Sequence, residues 1–246
     1  MNDMARKSKT GAIFLQQAML FDKMMEGATN LFDWPYDKVD RKAYNVAAGH
    51  MVLRQGGKPE CFFKIVSGTM KLSQVTEDGR QIIVGFASSG DFVGLTGGKE
   101  YRYAAETLTM TRLLSISYKT FYEQLPQNRA ARETLLGWFD AQEKMVQDHM
   151  AILSLQSPLA KLAAFLLKQI SRQTRSAGHD DAIIDLPMTQ KDIATYLAIA
   201  PETCSRTMKR LRDDKIIEAI GRSGEGKLHR ILDREQLNEI ANGPFI

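Results

Sequence analysis

The stretch that most constrains the fold is residues 189–213, where two short helical patterns follow each other with only a few residues between them. Thr189 is a favourable helix N-cap, and Asp192, three residues later, can return a hydrogen bond from the first turn. Pro201 suits the first position of a second helix, where its missing N–H costs nothing. Two helix starts placed so close together predict a helix-turn-helix unit.

The second of these helices has one polar and one apolar face. Four polar side chains recur at i, i+3, i+4 and i+7 and so share one side of the helix: Glu202, Ser205, Arg206 and Lys209. Arginine can donate two hydrogen bonds to guanine O6 and N7, and a carboxylate can accept one from cytosine N4. A solvated amphipathic helix would show the same face, but the basic residues that follow it favour DNA reading. We therefore predict that Glu202, Ser205 and Arg206 read bases in a major groove.

At these residues the sequence resembles the Crp/Fnr superfamily of bacterial transcription regulators, over about residues 40–235. The most specific part, residues 202–206, looks like the E-x-x-S-R signature of the Fnr and FixK branches. The resemblance implies that Glu202, Ser205 and Arg206 read a TTGAT-N4-ATCAA type operator. It also implies a regulator that contacts double-stranded DNA and RNA polymerase.

Two departures from the family pattern affect the turn between the helices. Ala198 stands where the family usually has glycine, and a positive φ there would cost about 1 kcal/mol. Ala200 replaces the more usual threonine before Pro201 and gives up a side-chain cap worth about 1 kcal/mol. Both changes are expected to lower stability without touching the reading face.

A second hairpin-like pattern follows the helices and is predicted to form the wing of a winged helix-turn-helix. Residues 216–220 and 228–232 are its strands, and a glycine-rich basic segment joins them. Contacts with phosphates raise affinity without specifying sequence. The residues predicted to contact the DNA backbone are Thr189, Thr203, Lys209, Arg222, Ser223 and Lys227.

Short strand patterns separated by glycines fill residues 44–117. Their regular spacing predicts a β-sandwich or barrel, and Asp78-Gly79 is a strong hairpin signal. The resemblance implies the double-stranded β-roll of cyclic-nucleotide-binding domains. The predicted fold is therefore α+β, with an N-terminal β-roll, a long dimerisation helix and a C-terminal winged helix-turn-helix.

The β-roll lacks residues with which the binding branch of the family holds a cyclic nucleotide. Leu95 stands where that branch has a ribose-binding glutamate, and Tyr103 follows Arg102 where a phosphate-binding serine is expected. An Fnr-type iron–sulfur cluster needs four thiolates, and the sequence has 2 cysteines. We therefore predict no cyclic nucleotide, no iron–sulfur cluster and no metal; haem on His50 or His149 is disfavoured.

The longest helical pattern covers residues 129–156 and carries a broad apolar stripe. At 1.5 Å per residue the helix would be about 40 Å long. The stripe is too broad for a helix that packs only on its own domain, so we predict pairing with a second copy, which matches a palindromic operator. The residues assigned to this homodimer interface are Leu135, Phe139, Met145, Val146, His149, Ile152 and Leu153.

The 246 residues leave room for two domains with separate cores. We place a lead-in at 1–38, the β-roll at 39–128, the dimerisation helix at 129–156 and the DNA-binding domain at 157–246. The net charge of +4 permits a nucleic-acid partner without demonstrating one. Two widely separated cysteines favour the cytoplasm, and no stretch approaches the about 20 apolar residues of a membrane span.

Cys204 is a candidate redox site because it lies between base-reading residues. Its helical phase points inward, which favours a small core residue instead. A ligand-gated or haem-gated member of the same family is the alternative to a regulator without a built-in sensor. No nucleophile elbow, paired-carboxylate motif or metal cluster is present in the sequence, so we expect no enzyme activity.

Overall fold

A computed structural model describes residues 42–177, 183–223 and 226–242 of the protein. The proposed lead-in at 1–38 lies outside these ranges. Among these residues, 42–120 and those from 146 onward belong to one compact unit, and residues 121–145 belong to another. This division follows different lines from the sequence-based domain boundaries, which stay predictions. No helix within the described ranges is long and apolar enough to cross a membrane.

The N-terminal part of the described chain is a β-roll of two antiparallel sheets with strand orders β1-β8-β3-β6 and β2-β7-β4-β5. Burial alternates along β3 and β4, as expected where one face of each strand meets a core. The strands are β1 Lys42–Val46, β2 Met51–Leu53, β3 Cys61–Ser67, β4 Thr69–Val75, β5 Gln81–Ser88, β6 Phe92–Val93, β7 Ala104–Thr107 and β8 Thr111–Ser117.

The turns of the β-roll use glycine where the backbone requires it. Gly68, between β3 and β4, has a φ of +96°, and a Cβ there would lie 2.6 Å from the carbonyl oxygen of Met110. Only glycine fits such a close approach. The predicted Asp78-Gly79 hairpin joins β4 to β5, and the Gly79 N–H donates to the Thr76 carbonyl at 2.8 Å.

The C-terminal part is a winged helix-turn-helix, so the predicted α+β fold is confirmed. A three-stranded sheet of order β10-β11-β9 carries the wing. The helices and remaining strands are α1 Tyr118–Gln124, α2 Arg129–Ser154, α3 Pro158–Ala177, β9 Ile183–Leu186, α4 Gln190–Leu197, α5 Pro201–Asp213, β10 Ile217–Ser223, β11 Gly226–Ile231 and α6 Arg234–Ala241.

Helix α3 supplies the centre of the C-terminal core. Leu162, Phe165 and Leu166 are 0% exposed, as are Leu197 at the end of α4 and Leu211 in α5. A helix with one such apolar face is stabilised mainly by this packing rather than by its own hydrogen bonds. The core therefore fixes α4 and α5 in place and leaves their other faces free.

Helix α2 has an exposed apolar stripe. Its members, between 36% and 68% exposed, are Leu136, Phe139, Val146, Met150 and Leu153. With Glu143, which lies between Phe139 and Val146, these positions follow the three–four spacing of a coiled-coil seam. Three of these, Phe139, Val146 and Leu153, were assigned to the dimer interface from sequence. Leu136 and Met150 were not, because the broad stripe hid which edge would stay exposed.

Two other residues assigned to the dimer interface pack within their own chain. The His149 ring stacks on Tyr196 with 3.9 Å between centroids, and His149 Nε2 donates to the Tyr196 carbonyl at 2.8 Å. Ile152 is 6% exposed and belongs to the core around α3. For these two positions the expectation from sequence is corrected, because the DNA-binding domain covers this edge of α2. Leu135 and Met145 are half-buried.

Candidate nucleic-acid interface

Helix α4 begins at a reciprocal pair of hydrogen bonds. The Asp192 N–H donates to Thr189 Oγ1 at 3.1 Å, and the Thr189 N–H donates to Asp192 Oδ2 at 3.0 Å. This is the capping box that the sequence predicts. It fixes the first turn of the helix-turn-helix while Thr189 itself stays exposed.

The turn between α4 and α5 places Ala198 in the left-handed region, with φ 51° and ψ 49°. The Ile199 N–H donates to the Ala194 carbonyl at 3.0 Å, so the turn satisfies one of the last carbonyls of α4. The positive φ expected at this position is therefore present, although a Cβ disfavours it.

We expect Ala198→Gly to raise the free energy of unfolding by roughly 0.5 to 1 kcal/mol. Relief of the left-handed strain exceeds the extra entropy that glycine gives the unfolded chain. Urea denaturation of both proteins measures the difference. Ala164→Gly, in the middle of α3, is the matched control and should lower stability by about 1 kcal/mol. If both variants were less stable than the wild-type protein, the idea that Ala198 is strained would be contradicted.

Helix α5 presents two sharply different faces. Cys204, Met208 and Leu211 are 0–1% exposed and anchor the helix on the core. Pro201 occupies its first turn, and Ala200 makes no side-chain cap, as the sequence indicates. One side of α5 is therefore held rigidly, which fixes the direction of the other.

The free face of α5 carries the predicted base-reading residues. Glu202, Ser205 and Arg206 are all exposed and, by their helical phase, share one side of the helix with Lys209. Arg206 Nη2 donates to Thr203 Oγ1 at 3.4 Å, and the half-buried Thr203 accepts a 2.7 Å hydrogen bond from Thr207 Oγ1 at its carbonyl. The fold thus brings the three polar groups together where a base edge could reach them.

The wing is the β10–β11 hairpin. Arg222 and Lys227 face each other in its register and are both exposed. Ser223 ends β10, and its side chain lies outside the described part of the structure. A bulge near Gly221, whose φ is +148°, bends the hairpin. Two cations predicted to contact phosphates therefore stand at its tip.

Two positions at this surface were not assigned a DNA contact from sequence, although Arg212 was counted among the basic residues that favour DNA reading. Arg212 follows Ser205 and Lys209 at i+7 and i+3, and Gln190 opens α4 beside Thr189. Both line a cavity between α5 and the wing. The helical spacing of Arg212 was a usable signal, whereas the cavity depends on contacts distant in sequence.

The β-roll is joined to the helix-turn-helix by ion pairs. Lys71 of β4 lies 3.3 Å from Asp192 Oδ1, in the capping box, and 3.2 Å from Glu106. Arg172 of α3 pairs with Asp91, and its Nη1 donates to the Phe86 carbonyl at 2.8 Å. Lys71 thus ties α4 to the β-roll, and Arg172 ties α3 to it.

Comparison with known proteins matches both halves of the chain. A sequence model of the cyclic nucleotide-binding domain matches residues 44–128, and one of the Crp-like helix-turn-helix domain matches residues 160–240. The nitrogen fixation regulation protein FixK of Bradyrhizobium diazoefficiens is 32% identical over 169 residues, 67% of this chain and 69% of that protein. The chain belongs to the Crp/Fnr family of DNA-binding transcription regulators.

Other relatives of this Crp/Fnr regulator support the same family assignment. The transcriptional activator Anr of Pseudomonas aeruginosa is 29% identical over 212 residues, covering 84% of this chain and 83% of Anr. The structure of FixK2 from Bradyrhizobium japonicum has a TM-score of 0.73 at 22% identity, covering 81% of this chain and 96% of that one, and shows the fold alone. These relatives are transcription regulators rather than enzymes.

In the β-roll of this Crp/Fnr regulator, Leu95 and Tyr103 are the residues that stand where the resemblance leads us to expect cyclic-nucleotide contacts. Leu95 is 9% exposed. The Tyr103 hydroxyl accepts a 3.0 Å hydrogen bond from the Gly94 N–H, and burial raises the pKa of Tyr103. Tyr103 also packs against the core of the roll, while Arg102 is exposed. Within the described ranges, no group of three or more His, Cys, Asp and Glu side chains is placed to hold a metal.

Cys204 is buried in the core of the DNA-binding domain and is 0% exposed. Burial raises the pKa of its thiol to about 11. The thiolate is the reactive form of cysteine, so this environment disfavours oxidation at neutral pH. Burial here fits a core side chain better than a redox sensor.

We expect iodoacetamide at pH 8 to label the folded protein at Cys61 only. Cys61 is partly exposed, whereas Cys204 combines complete burial with a raised pKa. Mass spectrometry should find one adduct per folded chain and a second after denaturation. Modification of Cys204 in the folded protein, at a rate close to that of Cys61, would contradict this prediction.

Proposed function

We propose that the protein is a homodimeric regulator that reads a TTGAT-N4-ATCAA type palindrome and recruits RNA polymerase. The observation that carries this proposal is the exposed triplet Glu202, Ser205 and Arg206 on a helix whose opposite face is buried. The triplet has the E-x-x-S-R spacing of the Fnr and FixK branches. Activation fits the similarity to the transcriptional activator Anr and to AadR, a transcriptional activatory protein of Rhodopseudomonas palustris.

Each side chain of the triplet suits a different task in a major groove. The Arg206 guanidinium can donate two parallel hydrogen bonds to guanine, and the Glu202 carboxylate can accept from the amino group of cytosine. Ser205 can contact a base or a phosphate. Arg222 and Lys227 on the wing add charge without sequence preference. Specificity and affinity therefore rest on different elements.

The exposed stripe on α2 supports the proposed dimer. Leu136, Phe139, Val146, Met150 and Leu153 form a seam that one chain leaves uncovered. A two-fold axis along this seam duplicates the reading helix, as the two half-sites of a palindrome require. Pairing also removes the apolar stripe from water, which supplies the driving force.

We expect Val146→Asp to raise the dissociation constant of the dimer roughly tenfold, because a carboxylate is placed in an apolar seam. Sedimentation equilibrium measures the shift. Ala151→Asp adds the same charge to an exposed position of α2 outside the seam and should leave the dimer intact. Equal effects of the two variants would contradict this seam.

We further infer that the β-roll acts without a bound cyclic nucleotide. Leu95 and Tyr103 occupy the positions at which the binding branch has its ribose and phosphate contacts, and the Tyr103 hydroxyl is already engaged by Gly94. The same inference extends to iron–sulfur and haem cofactors, so the amount of protein rather than a ligand sets its activity.

Selection of operators from random duplex DNA tests the proposed function. The full-length protein should enrich an inverted repeat of TTGAT in the presence and in the absence of cyclic AMP. Enrichment of an unrelated motif, or of none, would overturn the assignment of the triplet. A requirement for cyclic AMP would overturn the inference about the β-roll.

A further inference from the structure

A cavity of about 250 Å³ lies between the reading helix α5 and the wing. Its buried lining includes Leu186 and Met208, while its more exposed lining includes Arg212, Arg222 and Lys227. Among the described residues that line it there is no carboxylate. The full charges that line the cavity are therefore all positive, which suits an anion.

His229 lines this cavity and carries a buried polar atom without a partner. The side chain is 5% exposed, and its Nδ1 has no hydrogen-bond partner in the described structure. Buried polar atoms in proteins are almost always hydrogen-bonded. Burial, followed by the charges of Arg212 and Lys227, lowers the pKa of His229. A neutral imidazole can still donate one hydrogen bond from Nδ1, and a bound anion would relieve the repulsion among the cations.

The position of Arg212 indicates which anion can reach the cavity. Arg212 lies one and two turns beyond Lys209 and Ser205, on the same face of α5 as the base-reading residues. Gln190, beside Thr189, lines the cavity from α4. When this face enters a major groove, the group that meets the end of the face and the wing is the DNA backbone.

We propose that Arg212, Lys227 and His229 form a phosphate-binding pocket that receives one backbone phosphate of the operator. The proposal rests on the DNA-reading function proposed above and adds Arg212 and His229 to its contacts. The pocket fixes the position of the wing on the duplex, and thereby the register of the reading helix. The same chemistry would suit a free phosphate compound, and the two sources are separated below.

Operators that carry one methylphosphonate each, in place of a phosphate, test the pocket. Neutralising the phosphate that occupies it should weaken wild-type binding roughly tenfold, the value of a charge-assisted hydrogen bond. In Arg212→Gln the same duplex should bind within about twofold of the unmodified one, because the contact is already lost. His229→Phe, which removes the Nδ1 donor, should lose sensitivity to the same phosphate.

Arg210→Gln is the matched control. Arg210 belongs to the same helix and is exposed, but it pairs with Asp214 at 3.5 Å and does not line the cavity. This variant should keep the full sensitivity to the methylphosphonate. Arg212→Gln should also lower the slope of log K against log salt by about 0.9.

Three outcomes would overturn the pocket. The first is that every methylphosphonate weakens DNA binding by the same factor in Arg212→Gln as in the wild-type protein, so that the two losses of binding free energy are additive. The second is equal behaviour of Arg212→Gln and Arg210→Gln. The third is saturation of the DNA-free protein by micromolar inorganic phosphate that competes with duplex, which would assign the site to a free compound. Loss of wild-type preference for TTGAT over scrambled duplex would instead overturn the proposed function.

Discussion

Arg206→Ala is expected to weaken binding to a TTGAT-containing duplex by roughly 10- to 100-fold, with little effect on scrambled duplex. Arg206 is exposed and its guanidinium is held by Thr203 Oγ1, so its removal deletes a base contact without disturbing the core. Fluorescence anisotropy at one fixed salt concentration measures both affinities. The ratio of the two affinities, rather than either alone, reports sequence reading.

Lys227→Ala is the comparison for this prediction. Lys227 is an exposed wing residue and is predicted to contact the backbone, so its loss should weaken both duplexes alike. It should also reduce the salt dependence of binding by about one released counterion. If the two variants lower affinity for both duplexes by the same factor, the division of roles between α5 and the wing is wrong.

Phe165→Ala is expected to lower the free energy of unfolding by about 3–5 kcal/mol, because it opens a cavity in the core. Phe165 is 0% exposed and contacts two other rings, Phe86 at 6.2 Å and Tyr196 at 5.6 Å between centroids. Phe86 belongs to the β-roll and Tyr196 to α4. The lost ring therefore weakens the core of the DNA-binding domain together with its contact to the roll. Urea denaturation measures the loss.

Two further variants calibrate this loss. Phe165→Leu keeps most of the apolar volume and should cost markedly less than Phe165→Ala. Leu232→Ala truncates an apolar side chain that is 49% exposed and should change stability by about 0.5 kcal/mol or less. A loss below about 1 kcal/mol for Phe165→Ala would show that the ring is not part of a tightly packed core.

The joint between the β-roll and the helix-turn-helix combines charge with aromatic packing. Lys71 bridges Glu106 and Asp192, and Asp192 also caps α4. The neighbouring His149–Tyr196 stack and the buried Phe86 ring exclude water from one side of the joint. Because α4 packs on the reading helix, a movement of the roll at this joint would be transmitted to α5.

The sequence by itself determined several features that depend on neighbours along the chain. Helical phase separated Glu202, Ser205 and Arg206 from the buried Cys204, and residue spacing indicated the Thr189–Asp192 capping box. The family resemblance, which places a glycine in this turn, indicated the positive φ found at Ala198. These features follow from backbone geometry over fewer than ten residues, so a pattern suffices to predict them.

Only the tertiary structure decided which partner covers each face. The apolar stripe of α2 indicates that some partner must cover it, but not which one. In the structure, Tyr196 of the same chain covers the edge that contains His149, whereas Val146 stays exposed. Likewise, Lys71 meets Asp192 across 121 positions of sequence, and the burial of His229 Nδ1 without a hydrogen-bond partner is seen only in the folded chain. Burial and charge pairing depend on three-dimensional proximity, which periodicity along one chain does not encode.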